Sequence, residues 1–187
     1  MPIGLKSFIQ SLGFTNVLDH SWFDKTVSEK GEKKVIFTSA PAYHWSQSIS
    51  KGMRRVLKGN ESLWCGWVIK ANGKTLDHSG DTAFSKKVFD SINQRFKSLD
   101  YALLPIAPED DEEMHMGIDS FFEATKTLKA REIIPMHYLT FRMGPERVED
   151  PYFAMVERLK KEKQSNITIL KIGEIFEERR RALSIAC

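Results

Sequence analysis

GDTAFSKKVFDSINQRFKSLDYALLPIA, Gly80 to Ala107, changes period half-way along. Phe84, Val88, Ile92 and Phe96 recur every fourth residue and give one apolar stripe of a helix. Tyr101 to Ala107 then runs almost without a polar residue, as a strand covered on both faces does. A helix delivered straight into a buried strand is half of a βαβ unit, and the pattern repeats downstream. IDSFFEATKTLKA predicts a helix with Ile118, Phe121, Phe122, Thr125 and Leu128 inward, and REIIPMH a second buried strand. Asp150-Pro151 reads as an N-cap with proline at N1, opening a helix striped by Phe153, Val156 and Leu159. NITILKI closes as a strand, and a charged tail from about 173 to 187 reads as helical.

Upstream, the signals are those of a short helix and of hairpins. In GLKSFIQSLGF, Leu5, Phe8, Ile9 and Leu12 share a face and Gly13 supplies the stop. TNVLD is a short strand candidate and KKVIFTSA a better one; Pro41 to about Glu61 is irregular and polar. SLWCGWVIK and KTLDHSG flank Asn72-Gly73, a pair that accepts positive φ at both turn positions and so predicts a hairpin. The fold class expected is α/β, a mixed sheet with flanking helices, in one domain over 1–187.

Composition narrows the function classes. The chain of 187 residues is 41% apolar and 28% charged, a balance that buries a core. A net charge of +3, dispersed among KGMRR, RLKKEK and EERRR, argues against a nucleic-acid partner. The N-terminus lacks the apolar core of a signal peptide, and no run has the length of an integral membrane segment. Cys65 and Cys187 make no CxxC, which favours a reducing, cytoplasmic setting.

Three polar residues fall where such a sheet delivers side chains to one edge: His44 after KKVIF, Asp81 in SGDTAF and His137 in IIPMHYLTF. Ligands gather at the carboxyl ends of strands in open α/β sheets. Two imidazoles and a carboxylate are donors that zinc accepts in hydrolytic sites. Each residue also has a structural explanation. His44 and His137 could be backbone-bonded rings, and Asp81 could cap the helix near Phe84. His20 and His78 read as structural, and Trp45, Trp64 and Trp67 as core.

SAPAYHWS, LWCGWVI, SGDTAFS, DYALLPIAP, MHMGIDSFFEA and IIPMHYLTF occur in one order over about Pro2 to Ile172. Together they resemble the metallo-β-lactamase fold hydrolases, in the branch of N-acylphosphatidylethanolamine-hydrolysing phospholipase D. The resemblance implies zinc, one or two ions with manganese or iron also compatible, held by His44, Asp81 and His137, with Asp81 bridging. It implies substrate or outer contacts at His115, Thr82 and Tyr138, and a small-molecule or lipid phosphodiester as substrate. It also implies the C-terminal part of an αββα sandwich, incomplete at the N-terminus, because the family's HxHxDH motif is absent from a chain whose histidines are at 20, 44, 78, 115 and 137. Leu139 stands where the family usually has glycine, and Ala83 departs from GDTG. Two outcomes follow. One is a metal-dependent phosphodiesterase, truncated here, completed by a homodimer or by a complementing N-terminal half. The other is a degenerate binding module without catalysis.

Overall fold

The computed structural model describes residues 1–44, 62–109, 115–142, 144–162 and 164–178. The strands are β1 (Lys25–Lys30), β2 (Lys33–Pro41), β3 (Cys65–Ala71), β4 (Lys74–His78), β5 (Tyr101–Pro105) and β6 (Glu132–Met136). The helices are α1 (Lys6–Ser11), α2 (Lys86–Phe96), α3 (Ile118–Leu128) and α4 (Asp150–Lys161). The strands form one sheet in the order β1-β2-β3-β4-β5-β6. Pairing is antiparallel from β1 to β4 and parallel from β4 to β6. The switch falls where α2 and α3 enter as crossovers, because a parallel neighbour cannot be reached by a tight turn.

Register separates the two faces. Thr38, Val68, Asp77, Ala102 and Ile133 lie in one row across β2 to β6, and every one is buried. Onto that face pack Phe89 and Ile92 of α2 and Phe121, Phe122 and Leu128 of α3. All five residues predicted inward on α3 are buried, and Ala124 joins them. The next row holds Ser39, Trp67, His78, Leu103 and Ile134. Its large apolar members, with Phe37, Ile69 and Leu76 beside them, are half-buried and lie outside the core cluster. A cavity of about 540 Å³ opens on that side, lined by Leu18, His20, Phe37, Trp67 and Ile69 among others.

The hairpin turn is as expected, with Asn72 at φ 50° and Gly73 at φ 73°. Other expectations need correction. Thr15–Asp19 forms no strand; the Met1 amino group donates to the Leu18 carbonyl, and His20, just beyond, makes an isolated bridge with Pro2. Asn166–Ile172 makes only one bridge, Ile133 to Ile167, because Ile167 and Ile169 turn in to pack against the core instead of extending the sheet. Residues 174–178 are not helical, and the rest of the tail lies outside the described residues. Helix α1 buries none of its stripe, with Leu12 59% exposed. Strand β5 is deeply covered on one face only, since Tyr101 and Leu103 alternate with buried Ala102 and Leu104. Helix α4 begins at Asp150 with Glu149 as its N-cap, one residue earlier than read. Trp64 and Trp67 lie outside the core: Trp67 meets His20 edge-on at 5.3 Å and Trp64 meets Tyr43 at 5.8 Å. Trp45 lies outside the described residues. Among the described residues, no helix is long and apolar enough to cross a membrane.

Gly66 fixes how closely β3 approaches the end of β4. A Cβ there would sit 2.6 Å from the carbonyl oxygens of both His78 and Ser79. Both are backbone atoms, so the clash can be relieved only by parting the strands. Gly66→Ala is expected to lower stability by about 3 kcal/mol in a urea titration; a loss under about 0.5 kcal/mol would show that the strands yield freely.

Candidate metal centre

The turn Ser79–Thr82 leaves β4 at the edge where β2 and β6 also end. Gly80 takes φ 69°, a left-handed conformation that a Cβ disfavours, and so turns Asp81 back over the strand ends. Thr82, buried, accepts a hydrogen bond from the Tyr43 amide (2.8 Å), and the Ala83 amide donates to the Tyr43 carbonyl (2.8 Å). These bonds tie the segment carrying His44 to the one carrying Asp81. Thr82 therefore acts through backbone.

Four side chains converge. Asp81 Oδ2 lies 3.1 Å from His44 Nε2, 3.3 Å from His115 Nε2 and 3.5 Å from His137 Nε2. Asp81 Oδ1 is buried and has no hydrogen-bond partner among the described residues. The three sequence-predicted ligands are thus brought together, and His115 joins them. His115 follows an acidic run and opens no recognisable motif beyond MHMG, so nothing local distinguishes it from a loop histidine.

The electrostatics follow from this convergence. Burial pushes the Asp81 carboxyl up, but hydrogen bonds from His115, His137 and His44 outweigh it and hold the group far below the usual carboxylate range. The hydrogen bond to Asp81 raises the His137 imidazole, against the opposing effect of burial. His137 Nδ1 donates to the Ala107 carbonyl at 2.9 Å, which fixes the tautomer and leaves Nε2 facing the cluster. Tyr138 behaves differently: its hydroxyl donates to the Leu170 carbonyl at 2.5 Å and its ring packs on Tyr152, so it braces the loop after β6. Leu139 sits at φ 59° and His137 at φ 67°, so leucine occupies a left-handed position that suits glycine. Of the histidines read as structural, His20 Nε2 is 2.7 Å from Thr26 Oγ1, and His78 Nδ1 accepts from the Gly80 amide at 3.2 Å.

The donor set suits a divalent cation. An anionic carboxylate ringed by imidazole nitrogens, with one oxygen left without a proton donor, is poorly served by protein alone. The ligand atoms of His44, Asp81 and His115 lie within 4.8 Å of one another.

A family profile described as a β-lactamase superfamily domain matches residues 9–138. The chain belongs to that family. Within the superfamily, it is 33% identical over 157 residues to the mitochondrial N-acyl-phosphatidylethanolamine-hydrolyzing phospholipase D of Saccharomyces cerevisiae, covering 81% of this chain and 32% of that protein. A metal-dependent hydrolase of Pelotomaculum thermopropionicum is 40% identical over 115 residues, covering 60% of this chain and 45% of that protein. The chain therefore spans less than half the length of either relative. Among solved structures, a metallo hydrolase from the archaeon Ignicoccus hospitalis superposes with a TM-score of 0.60 at 23% identity. That match covers 92% of this chain and 65% of the archaeal one, and it shows the shared fold.

Proposed function

We propose that this β-lactamase superfamily chain carries the metal centre of a hydrolase acting on a phosphodiester, with an N-acylated phospholipid as the substrate class. The observation that carries the reading is Asp81 Oδ2, approached by three imidazole nitrogens at the common end of β2, β4 and β6. A divalent cation bound there would supply Lewis-acid charge to a phosphoryl oxygen. Asp81 contributes the negative charge that draws the cation in, and the histidines contribute neutral nitrogen donors. The Ala107 carbonyl keeps His137 in the tautomer that can serve, and Thr82 keeps His44 beside Asp81. Zinc suits mixed nitrogen and oxygen donors, as manganese and iron also do. The names of the yeast and Pelotomaculum relatives support the hydrolytic class and, for the first, the lipid. A cytoplasmic setting without nucleic acid is consistent with the dispersed charge.

The test uses the whole chain purified from zinc-supplemented medium. Bound metal is counted by elemental analysis, and hydrolysis is followed with N-acyl-phosphatidylethanolamine and with bis(p-nitrophenyl) phosphate. Stripping with dipicolinate is expected to lower turnover at least ~100-fold, with recovery on adding zinc or manganese. Protein that carries no metal and cleaves neither substrate would overturn the reading.

A further inference from the structure

Two large aromatic rings stand out to solvent just after His137: Phe141 is 76% exposed and Phe153 58%. We propose that the rim from Leu139 to Phe153 seats the protein on the surface of an anionic phospholipid bilayer. The two phenylalanines enter the headgroup layer, and Arg142 and Arg147 meet lipid phosphates. The proposal rests on the hydrolase reading and deepens it by naming the surface at which a lipid is presented.

Local structure explains why these rings point outward. Met155 of α4 is fully buried, and a residue two positions away lies on nearly the opposite side of a helix. Phe153 is therefore driven out, although its spacing with Val156 and Leu159 suggests an inward stripe. The loop after β6 is fastened at its base by the Tyr138 hydroxyl, which donates to the Leu170 carbonyl. The Tyr138 ring lies 5.9 Å from Tyr152, and Tyr152 meets Phe153 at 5.4 Å. Phe141 shares one cleft with His137, Leu139, Val148 and Pro151. The exposed rings thus belong to a braced rim that borders the metal centre through His137.

Charge selects the partner. Arg142 places two of its five donors on the Gly144 and Pro145 carbonyls and meets no carboxylate among the described residues. The Arg147 side chain is 75% exposed. Nearby acids are already engaged: Glu149 pairs with the Arg147 guanidinium, Asp150 accepts from the Arg147 amide, and Glu146 accepts from the Glu109 amide. An apolar protein partner would bury the Arg142 charge without a counter-ion, which is costly. A headgroup layer instead offers phosphate to the guanidinium while the rings reach the acyl boundary. A phosphodiester drawn from that layer passes His137 on its way to Asp81, and its acyl chains stay in the bilayer.

The test mixes the whole chain with vesicles of phosphatidylcholine, with or without phosphatidylserine. Partition is read by flotation and needs no turnover. Replacing both rings, Phe141→Ser with Phe153→Ser, is expected to lower partition onto the anionic vesicles at least ~30-fold, and Arg142→Gln about 5-fold. Phe14→Ser, at a site comparably exposed at 63% after α1, is expected to change it less than ~2-fold. Circular dichroism checks each fold, and Phe141→Leu, which stays apolar, is expected to keep most of the binding. An unmodified chain that does not float would overturn the proposal, as would loss in Phe14→Ser with retention in the double variant. Self-association without lipid that the double variant abolishes would also overturn it, making the rim a contact between copies. Hydrolysis of bis(p-nitrophenyl) phosphate by a chain that does not float would leave the hydrolase reading standing. Flotation of a chain that binds no metal and cleaves nothing would overturn that reading alone and uphold the docking surface.

Discussion

Asp81→Ala is expected to abolish metal retention, lowering affinity by well over ~100-fold and removing metal-dependent hydrolysis with it. Loss of a contact beyond the ligands typically costs 10–100-fold, so losing the anionic donor that the described residues place here costs more. The carboxylate is where all three imidazoles meet, and without it the cluster is three rings with no negative charge to draw a dication in. Asp81→Asn keeps the shape and one oxygen but not the charge, so it should fall between the parent and alanine. Elemental analysis after dialysis, alongside phosphodiester turnover, reads both effects. If Asp81→Ala retained a full equivalent of metal, the centre would have to lie elsewhere.

Asp77→Asn is expected to stabilise the protein, and only above acidic pH. Asp77 lies on β4 in the row facing α2 and α3, fully buried, and neither carboxyl oxygen has a hydrogen-bond partner among the described residues. Burial alone pushes its pKa from the ordinary 3.8 up to about 7. The unfolded chain loses this proton near 3.8, while the folded chain keeps it to about 7. The folded state thus binds the extra proton across that window, and stability falls as pH rises through it. At about 1.4 kcal/mol for each unit of the shift, the loss is on the order of 4 kcal/mol by pH 8. Asparagine has nearly the same shape and no charge to bury. Asp77→Asn should therefore match the parent within about 1 kcal/mol at pH 4 and exceed it by about 2–4 kcal/mol at pH 8. Urea unfolding at the two pH values decides the point, and parallel pH profiles would show that the carboxylate finds compensation.

What was legible in the sequence was local. The Asn72-Gly73 turn, the α3 stripe and the apolar run of β6 each carry their signal within a dozen residues; the turn and the stripe formed as read, and β6 formed as a strand deeply buried on one face only. Strand β1 carries almost none. Lys25–Lys30 is an edge strand whose residues are largely exposed, so backbone pairing to β2 alone defines it. Asn166–Ile172 shows the converse, since an apolar run promises burial and does not say whether a sheet or a helix layer provides it. The same ambiguity hides Asp77: period-two alternation assigns Leu76 and Asp77 to opposite faces without saying which face the helices cover. For the metal centre, His44, Asp81 and His137 were legible because each ends a readable strand segment. His115 was undervalued because its approach to Asp81 is made only by the crossover that places α3.

The sheet's second face has a consequence for the protein at high concentration. Trp67, Leu103 and Ile134 lie in one half-buried row outside the core cluster that the helices form with the other face. Two molecules meeting through such rows would shed hydration water, so self-association rising with concentration is the expected outcome of a sedimentation-velocity series. A mild non-ionic surfactant is expected to reverse that association, because it covers the same apolar side chains.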